Sequence, residues 1–150
     1  MARNRAGERS EGEIDMNEHL IEKGLNEILH AGALGLPVAW PNMDPPTDVP
    51  RLEISVVGGD AQGGALKGAG QIETIPVTYQ VLVVYPKGAN TGTTNANATA
   101  ASIKALYAEG HRFSLTGGGE VTLGLAQIRK GFSSGELWKV PVVVQATARN

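Results

Sequence analysis

The segment QIETIPVTYQVLVVYP, residues 71–86, decides the fold of this chain. Polar and apolar residues alternate along it, and one face carries Ile75, Val77, Tyr79, Val81, Val83 and Tyr85. Period-two alternation in β-branched and aromatic residues predicts a long, half-buried β-strand. Pro76 has no N–H group, so it marks this end of the strand as a sheet edge or a bulge.

Other strands are predicted on both sides of this one. RLEISVV, residues 51–57, alternates in the same way and should pair with 71–86 as a hairpin. LWKVPVVVQATA, residues 137–148, predicts a strand with Trp138, Val140, Val142 and Val144 on one side. Residues 111–115 predict a short strand. Residues 119–133 predict a longer one, in which Gly124 weakens the alternation.

Two helices are predicted from apolar residues spaced by three, four or seven positions. In the first, Ile14, Ile21, Leu25 and Ile28 fall on one face, and the helix should end near residues 31–35, before Pro37. The second helix is predicted over residues 96–108, after a loop at 86–95. Its inward stripe is Ala96, Ala100, Ile103 and Tyr107.

The order of these elements predicts an α+β fold. We expect a helix–hairpin–helix–hairpin chain, with helices packed on a mostly antiparallel mixed sheet and with long glycine-rich loops. Residues 35–50 hold five prolines and should form an extended connector that Trp40 pins to the core. A chain of 150 residues fits one domain, here residues 13–150, after a flexible N-terminal arm at 1–12.

Composition excludes several classes of function. The chain has no cysteine, and its formal net charge is −2. Disulfide frameworks and thiol nucleophiles are therefore excluded, and tight nucleic-acid binding is disfavoured because it requires a strongly basic domain. The chain has no apolar run long enough to span a bilayer, so no membrane contact is expected.

The glycine-rich stretch GGDAQGGALKGAGQ, residues 58–71, does not match a phosphate-binding loop. Such a loop needs lysine directly after its last glycine and a helix behind it, whereas Lys67 precedes Gly68 and a strand follows. The three histidines lack metal-ligand spacing, and no nucleophile elbow is present. We expect no catalytic residue, no metal and no cofactor, and hence no enzyme.

Four segments together resemble the tail terminator proteins of long-tailed phages, the lambda-type group that also occurs in prophages and gene transfer elements. Together with the amphipathic N-terminal helix, they extend the resemblance over about residues 14–147. The segments are LPVAWPNMDPPTDVPRLEISVV (36–57), VTYQVLVVYPKGANTG (77–92), NATAASIKALY (97–107) and ELWKVPVVVQATA (136–148).

The resemblance implies a structural virion protein in the tail or neck, assembled in the host bacterial cytoplasm. Its subunits would form a homo-oligomer, a hexameric ring on the head-proximal end of the tail tube. The ring would end tube polymerisation, meet the major tail protein and a head-completion or connector protein, and let duplex DNA pass through its lumen.

The resemblance also points to two loops, 58–71 and 86–95, as assembly surfaces, and Arg129-Lys130 is the one small basic cluster elsewhere. The interface candidates are Gly58, Gly59, Asp60, Gln62, Lys67, Gln71, Lys87, Asn90, Arg129 and Lys130. Two other interpretations stay open. One is a neck, head-completion or tail tube subunit, and the other is a small-ligand-binding α+β domain that uses the glycine loop.

Overall fold

A computed structural model describes most of the chain beyond its first residues. It covers residues 19–32, 34–41, 49–58, 62–63, 73–88, 91–116 and 118–149. The predicted arm at 1–12 lies outside these residues, as does most of the glycine-rich stretch.

The fold is α+β and consists mostly of sheet, which confirms the predicted class. Helix α1 covers residues 19–31 of the described chain, and helix α2 is Thr91–Leu106. The strands are β1 (Val38–Ala39), β2 (Arg51–Gly58), β3 (Gln62–Gly63), β4 (Glu73–Pro86), β5 (Arg112–Ser114), β6 (Glu120–Leu123), β7 (Gln127–Ile128), β8 (Phe132–Ser134) and β9 (Leu137–Arg149).

Strands β4 and β9 form the centre of the sheet. They pair antiparallel along their whole length, from Thr74 opposite Arg149 to Pro86 opposite Leu137. The strand order is β1-β2-β4-β9-β6-β5, with β3 continuing the row of β2 beside β4, and with β7 and β8 continuing the row of β6 beside β9. Among the described strands, β1 and β2 form the one parallel pair. Strand β1 lies within the predicted connector, where no strand was expected.

The prediction of one strand over residues 119–133 is wrong, and no single hairpin follows α2. The chain instead forms β6, β7 and β8, which pair in turn with successive parts of β9. Between these strands the ladder shifts twice, with three residues on the outer row against two on β9 between the paired positions each time. One extra residue on one side is the signature of a β-bulge, and it explains why the alternation fails after Leu123.

Two prolines inside the central strands lie beside such shifts. Pro141 accepts a hydrogen bond at its carbonyl from the Arg129 N–H (2.8 Å), so its missing N–H faces the shift between β7 and β8. Pro76 lies beside the one-residue shift between the β2 and β3 ladders on β4. Of the two predicted explanations for Pro76, the edge is wrong, because Pro76 lies opposite Thr147 in the central β4–β9 pair, and the register shift favours the bulge.

Both helices pack on one face of the sheet. The predicted inward stripe of α2 is confirmed, since Ala96, Ala100, Ile103 and Tyr107 are all almost fully buried. The helix begins at Thr91, however, so the second half of the loop predicted over 86–95 is helix. Fully buried Ala96 lies in the second turn of the helix, and its packing outweighs the weak helix propensity of the preceding Thr and Asn residues.

Helix α1 buries Ile21, Leu25 and Leu29, and Trp40 packs against the same core as predicted. Ile28, predicted on the inner face, is only partly buried. Two glycines let α1 approach its neighbours closely. A methyl group at Gly24 would overlap the Phe113 ring of β5, and one at Gly32 would overlap the Leu106 side chain of α2.

Candidate assembly surface

Two buried tyrosines join the helices to the sheet. The Tyr79 hydroxyl of β4 donates to Asn26 Oδ1 of α1 (2.6 Å), and the Tyr107 hydroxyl donates to the Leu25 carbonyl (2.7 Å). The two rings lie 5.7 Å apart in a tilted arrangement. Burial raises the pKa of both hydroxyls, and for Tyr79 the adjacent Tyr107 raises it further. Both groups therefore stay protonated donors, which suits a structural junction.

The described residues contain no arrangement for metal binding. No group of three or more His, Cys, Asp or Glu side chains within the described ranges is placed to hold a metal ion. His19 and His30 lie on the exposed side of α1. In this part of the chain, no helix is both long and apolar enough to cross a membrane.

The sheet face opposite the helices, called here the open face, divides into two halves. At one end, Glu53 accepts from Arg51 Nε (2.9 Å) and lies 3.9 Å from Lys139 Nζ. Arg51 and Lys139 flank Val84 on the neighbouring strands. Val84 is fully buried although it points away from the helices, because the stems of these long side chains cover it.

The other half of the open face is polar. It lies beside an open depression of about 700 Å³ that Arg112, Glu120, Thr122, Thr147 and Arg149 help to line. Arg112 Nη1 lies 3.8 Å from Glu120 Oε1, and both side chains are largely exposed. This ion pair therefore contributes little to stability. The Thr78 hydroxyl donates to the Gln145 side chain (3.0 Å) in the same half.

One stretch of sheet edge is formed by residues 55–58 and 62–63, called here the β2–β3 edge. Strand β1 pairs with β2 at Leu52 and Glu53, and no described strand covers the outer side beyond that point. Val57 projects from this edge with 67% of its surface exposed. An edge of this kind presents unpaired backbone N–H and C=O groups to a partner strand.

A second stretch of edge lies on the opposite side of the sheet, at residues 127–134, and is called here the β7–β8 edge. Strand β5 covers β6 but pairs with neither β7 nor β8, so within the described chain their outer side is uncovered. Ile128 is 40% exposed and Phe132 is 46% exposed. Arg129 and Lys130, between the two strands, are also exposed.

Five of the predicted interface residues fall within the described chain. Gly58 and Gln62 lie on the β2–β3 edge, and Arg129 and Lys130 lie on the β7–β8 edge. Lys87 belongs to neither edge, because it follows β4 and its N–H donates to the Glu136 carbonyl (2.8 Å). The other candidates, Gly59, Asp60, Lys67, Gln71 and Asn90, lie outside the described residues.

Comparison with known proteins identifies the family. A profile described as "Phage tail terminator protein" matches residues 18–145. The chain belongs to the phage tail terminator family. This match confirms the resemblance noted from the sequence. Membership of the family indicates that the protein has a structural role in the phage tail.

The fold is shared with a solved structure that carries no functional name. It aligns over 89% of this chain and 94% of its own length, at 23% sequence identity and a TM-score of 0.66. At this identity the likeness shows the terminator's fold alone. No curated protein matches the chain.

Sequence reasoning missed the three apolar side chains on the two edges, Val57, Ile128 and Phe132. A signal for Val57 is present, because consecutive Val56 and Val57 must point to opposite faces of a strand and only one face is covered by helices. For Ile128 and Phe132 the signal is weaker. Each is a lone apolar residue in a short, charged, glycine-containing segment.

Proposed function

We propose that this terminator forms a ring at the head-proximal end of the phage tail tube. The ring ends polymerisation of the major tail protein and gives the head-completion or connector protein a surface to dock on. The observation that carries this proposal is the family match over residues 18–145. The ring contains six subunits.

Duplex DNA passes through the lumen of this ring. The modest charge of the chain, −2 overall, suits a conduit that must not hold its cargo. Each lysine or arginine contact with a phosphate would release counterions and add affinity, and thus slow the passage of DNA. The protein acts as a virion component and not as an enzyme.

The glycine-rich stretch at 58–71 contributes to contacts within the ring or with the tube. Glycines allow the backbone to approach a neighbouring chain closely. Deletion of residues 64–68 should leave a folded subunit, judged by circular dichroism, that no longer caps tubes. A deletion variant that caps tubes normally would show that the stretch is not an assembly surface.

Electron microscopy of the purified protein with tail tubes tests the proposed ring. The expected image is a ring with a central hole, wide enough for duplex DNA, at one end of each tube. Tubes that remain uncapped at every protein concentration would contradict it.

Deletion of the gene distinguishes a terminator from a tube or neck subunit, because the two deletions give different tails. Loss of a terminator should give overlong tails without heads, whereas loss of a tube subunit should give no tails.

A further inference from the structure

We propose that neighbouring subunits join edge to edge, with the β2–β3 edge of one copy against the β7–β8 edge of the next. The sheets of adjacent subunits then continue across each boundary through backbone hydrogen bonds. This inference rests on the proposed ring and specifies the surface that builds it.

The positions of the two edges support this arrangement. In the strand order, β2 and β3 lie on one side of the central β4–β9 pair, and β7 and β8 lie on the other. The remaining parts of both outer rows are covered, by β1 at Leu52 and Glu53 and by β5 at 120–122. Two different edges on opposite sides make a head-to-tail contact, and such contacts close into a ring when the rotation between neighbouring subunits divides a full turn.

The exposed apolar side chains concentrate on these edges. Four large hydrophobic residues are exposed among the described residues. Val57 (67%) is on the β2–β3 edge, Ile128 (40%) and Phe132 (46%) are on the β7–β8 edge, and Leu125 (50%) lies just before it. Scattered apolar residues on a surface need no explanation, but three of these four lie on the two unpaired stretches of one sheet, which indicates a surface that is covered in the assembly.

Val57 and Phe132 also point to the same side of the sheet. Val57 lies opposite Thr78 of β4, and Phe132 lies opposite Lys139, which in turn lies opposite Val84. Thr78 and Val84 are an even number of residues apart on β4, so all these side chains share the open face. When the sheet continues into a neighbour with the open faces of both subunits on the same side, the two apolar groups therefore lie on one surface.

Charge restricts which edge can pair with which. Arg129 and Lys130 put two positive charges on the β7–β8 edge, which opposes pairing with a second copy of itself. The β2–β3 edge has no basic residue among residues 55–58 and 62–63. Pairing with that edge therefore avoids the charge repulsion that opposes pairing of two β7–β8 edges.

The absence of cysteine makes a direct test simple, because any introduced thiol is unique. The test uses the full chain with Val57→Cys and Phe132→Cys combined, treated with a short bis-maleimide linker in the presence of tail tubes. The linker makes the result independent of the exact pairing register. We expect a ladder of covalent multimers that ends at the ring size. Each single variant should give no covalent multimer, because the thiol introduced on the β2–β3 edge of one subunit faces the thiol introduced on the β7–β8 edge of another.

A matched control places the two thiols on the exposed side of α2 and at an exposed loop position, with Ala98→Cys and Glu109→Cys. This pair should give no ladder under the same conditions. A covalent dimer from either edge single variant would overturn the head-to-tail contact in favour of a symmetric one. Rings seen by microscopy without a ladder from the double variant would overturn edge pairing and leave the proposed function standing. Protein that stays monomeric even with tubes would overturn both.

A second variant separates assembly from folding. Val57→Lys replaces an exposed side chain, so the thermal unfolding midpoint should stay unchanged, whereas ring formation on tubes should be lost. Ala98→Lys is the control that should still form rings. Normal rings from Val57→Lys would contradict the inference, and so would a loss of rings that the Ala98→Lys control shares.

Discussion

Apolar side chains lie both on the helix-covered face of the sheet and on its two free edges, but they stabilise different contacts. On the covered face, valines, alanines and tyrosines are buried against α1 and α2 and hold the subunit together. On the edges, Val57 and Phe132 contact solvent in the isolated subunit. Burial within one chain stabilises a fold, whereas apolar surface left at an edge stabilises only a contact that a second chain completes. The two regions should therefore respond to mutation independently.

The largest effect is expected from Tyr79→Ala on the covered face. Loss of this buried ring should lower the free energy of unfolding by about 3–5 kcal/mol, because it leaves a cavity and removes the partner of Asn26. Urea unfolding measures the change. Val57→Ala is the matched edge variant, and it should change stability by no more than about 0.5 kcal/mol. Equal losses of stability in the two variants would show that the edge residue stabilises the isolated subunit as much as the buried one.

Gly24→Ala tests how tightly α1 is fitted to the sheet. The added methyl group would overlap the Phe113 ring, so we expect a loss of about 1–3 kcal/mol in the free energy of unfolding. The loss should shrink when Phe113→Ala is made in the same chain, measured as a double-mutant cycle against Phe113→Ala alone. A gain in stability from Gly24→Ala would show that α1 has room to move.

Alkaline pH should weaken the covered face through its tyrosines. The pKa values of Tyr79 and Tyr107 are raised in the folded state, so above about pH 10 the unfolded chain loses protons that the folded chain retains. Stability is then constant below about pH 10 and falls above it, by up to about 1.4 kcal/mol per pH unit for each tyrosine. Thermal melts from neutral to strongly alkaline pH measure this. Tyr107→Phe should make the decline less steep, and an unchanged decline would assign the effect to other groups.

The smallest effect is expected from Glu53→Gln on the open face. Glu53 is paired with Arg51 and Lys139 but is partly exposed, so its loss should cost about 0.2–1 kcal/mol. The difference from the wild-type chain in urea unfolding should diminish in high salt, because salt screens the charges. A difference that persists in high salt would indicate a packing role for Glu53 in place of an electrostatic one.

The central strands were predictable because their signal is local. The alternation in β4 and β9 places most apolar residues on one face, and the structure buries most of that face as predicted. The start of α2 was not predictable, because Thr93, Thr94 and Asn95 favour a loop locally and only packing of Ala96 against the sheet makes them helical. The bulges opposite β9 could not be predicted either, because a shift in register is defined by the pairing of two strands and not by the sequence of one.

The free edges could not be predicted from the sequence. Whether a strand is central or exposed depends on which distant segments pair with it. Nothing local to residues 55–58 shows that β1 stops covering β2 at Glu53, or that β5 fails to reach β7. Arg129 and Lys130 were identified as a cluster, but their place on an uncovered edge follows only from the strand order.

The position of β9 in the middle of the sheet has a consequence for synthesis of the chain. Its pairs with β4 join residues as far apart as Thr74 and Arg149, so a nascent chain lacks its central strand until Arg149 has left the ribosome. Until then β4 and the β6–β8 segments have no shared partner, and non-local pairing of this kind closes slowly. The β7–β8 edge therefore acquires its fixed position last, so a subunit becomes competent to join others only after its own translation has passed β9.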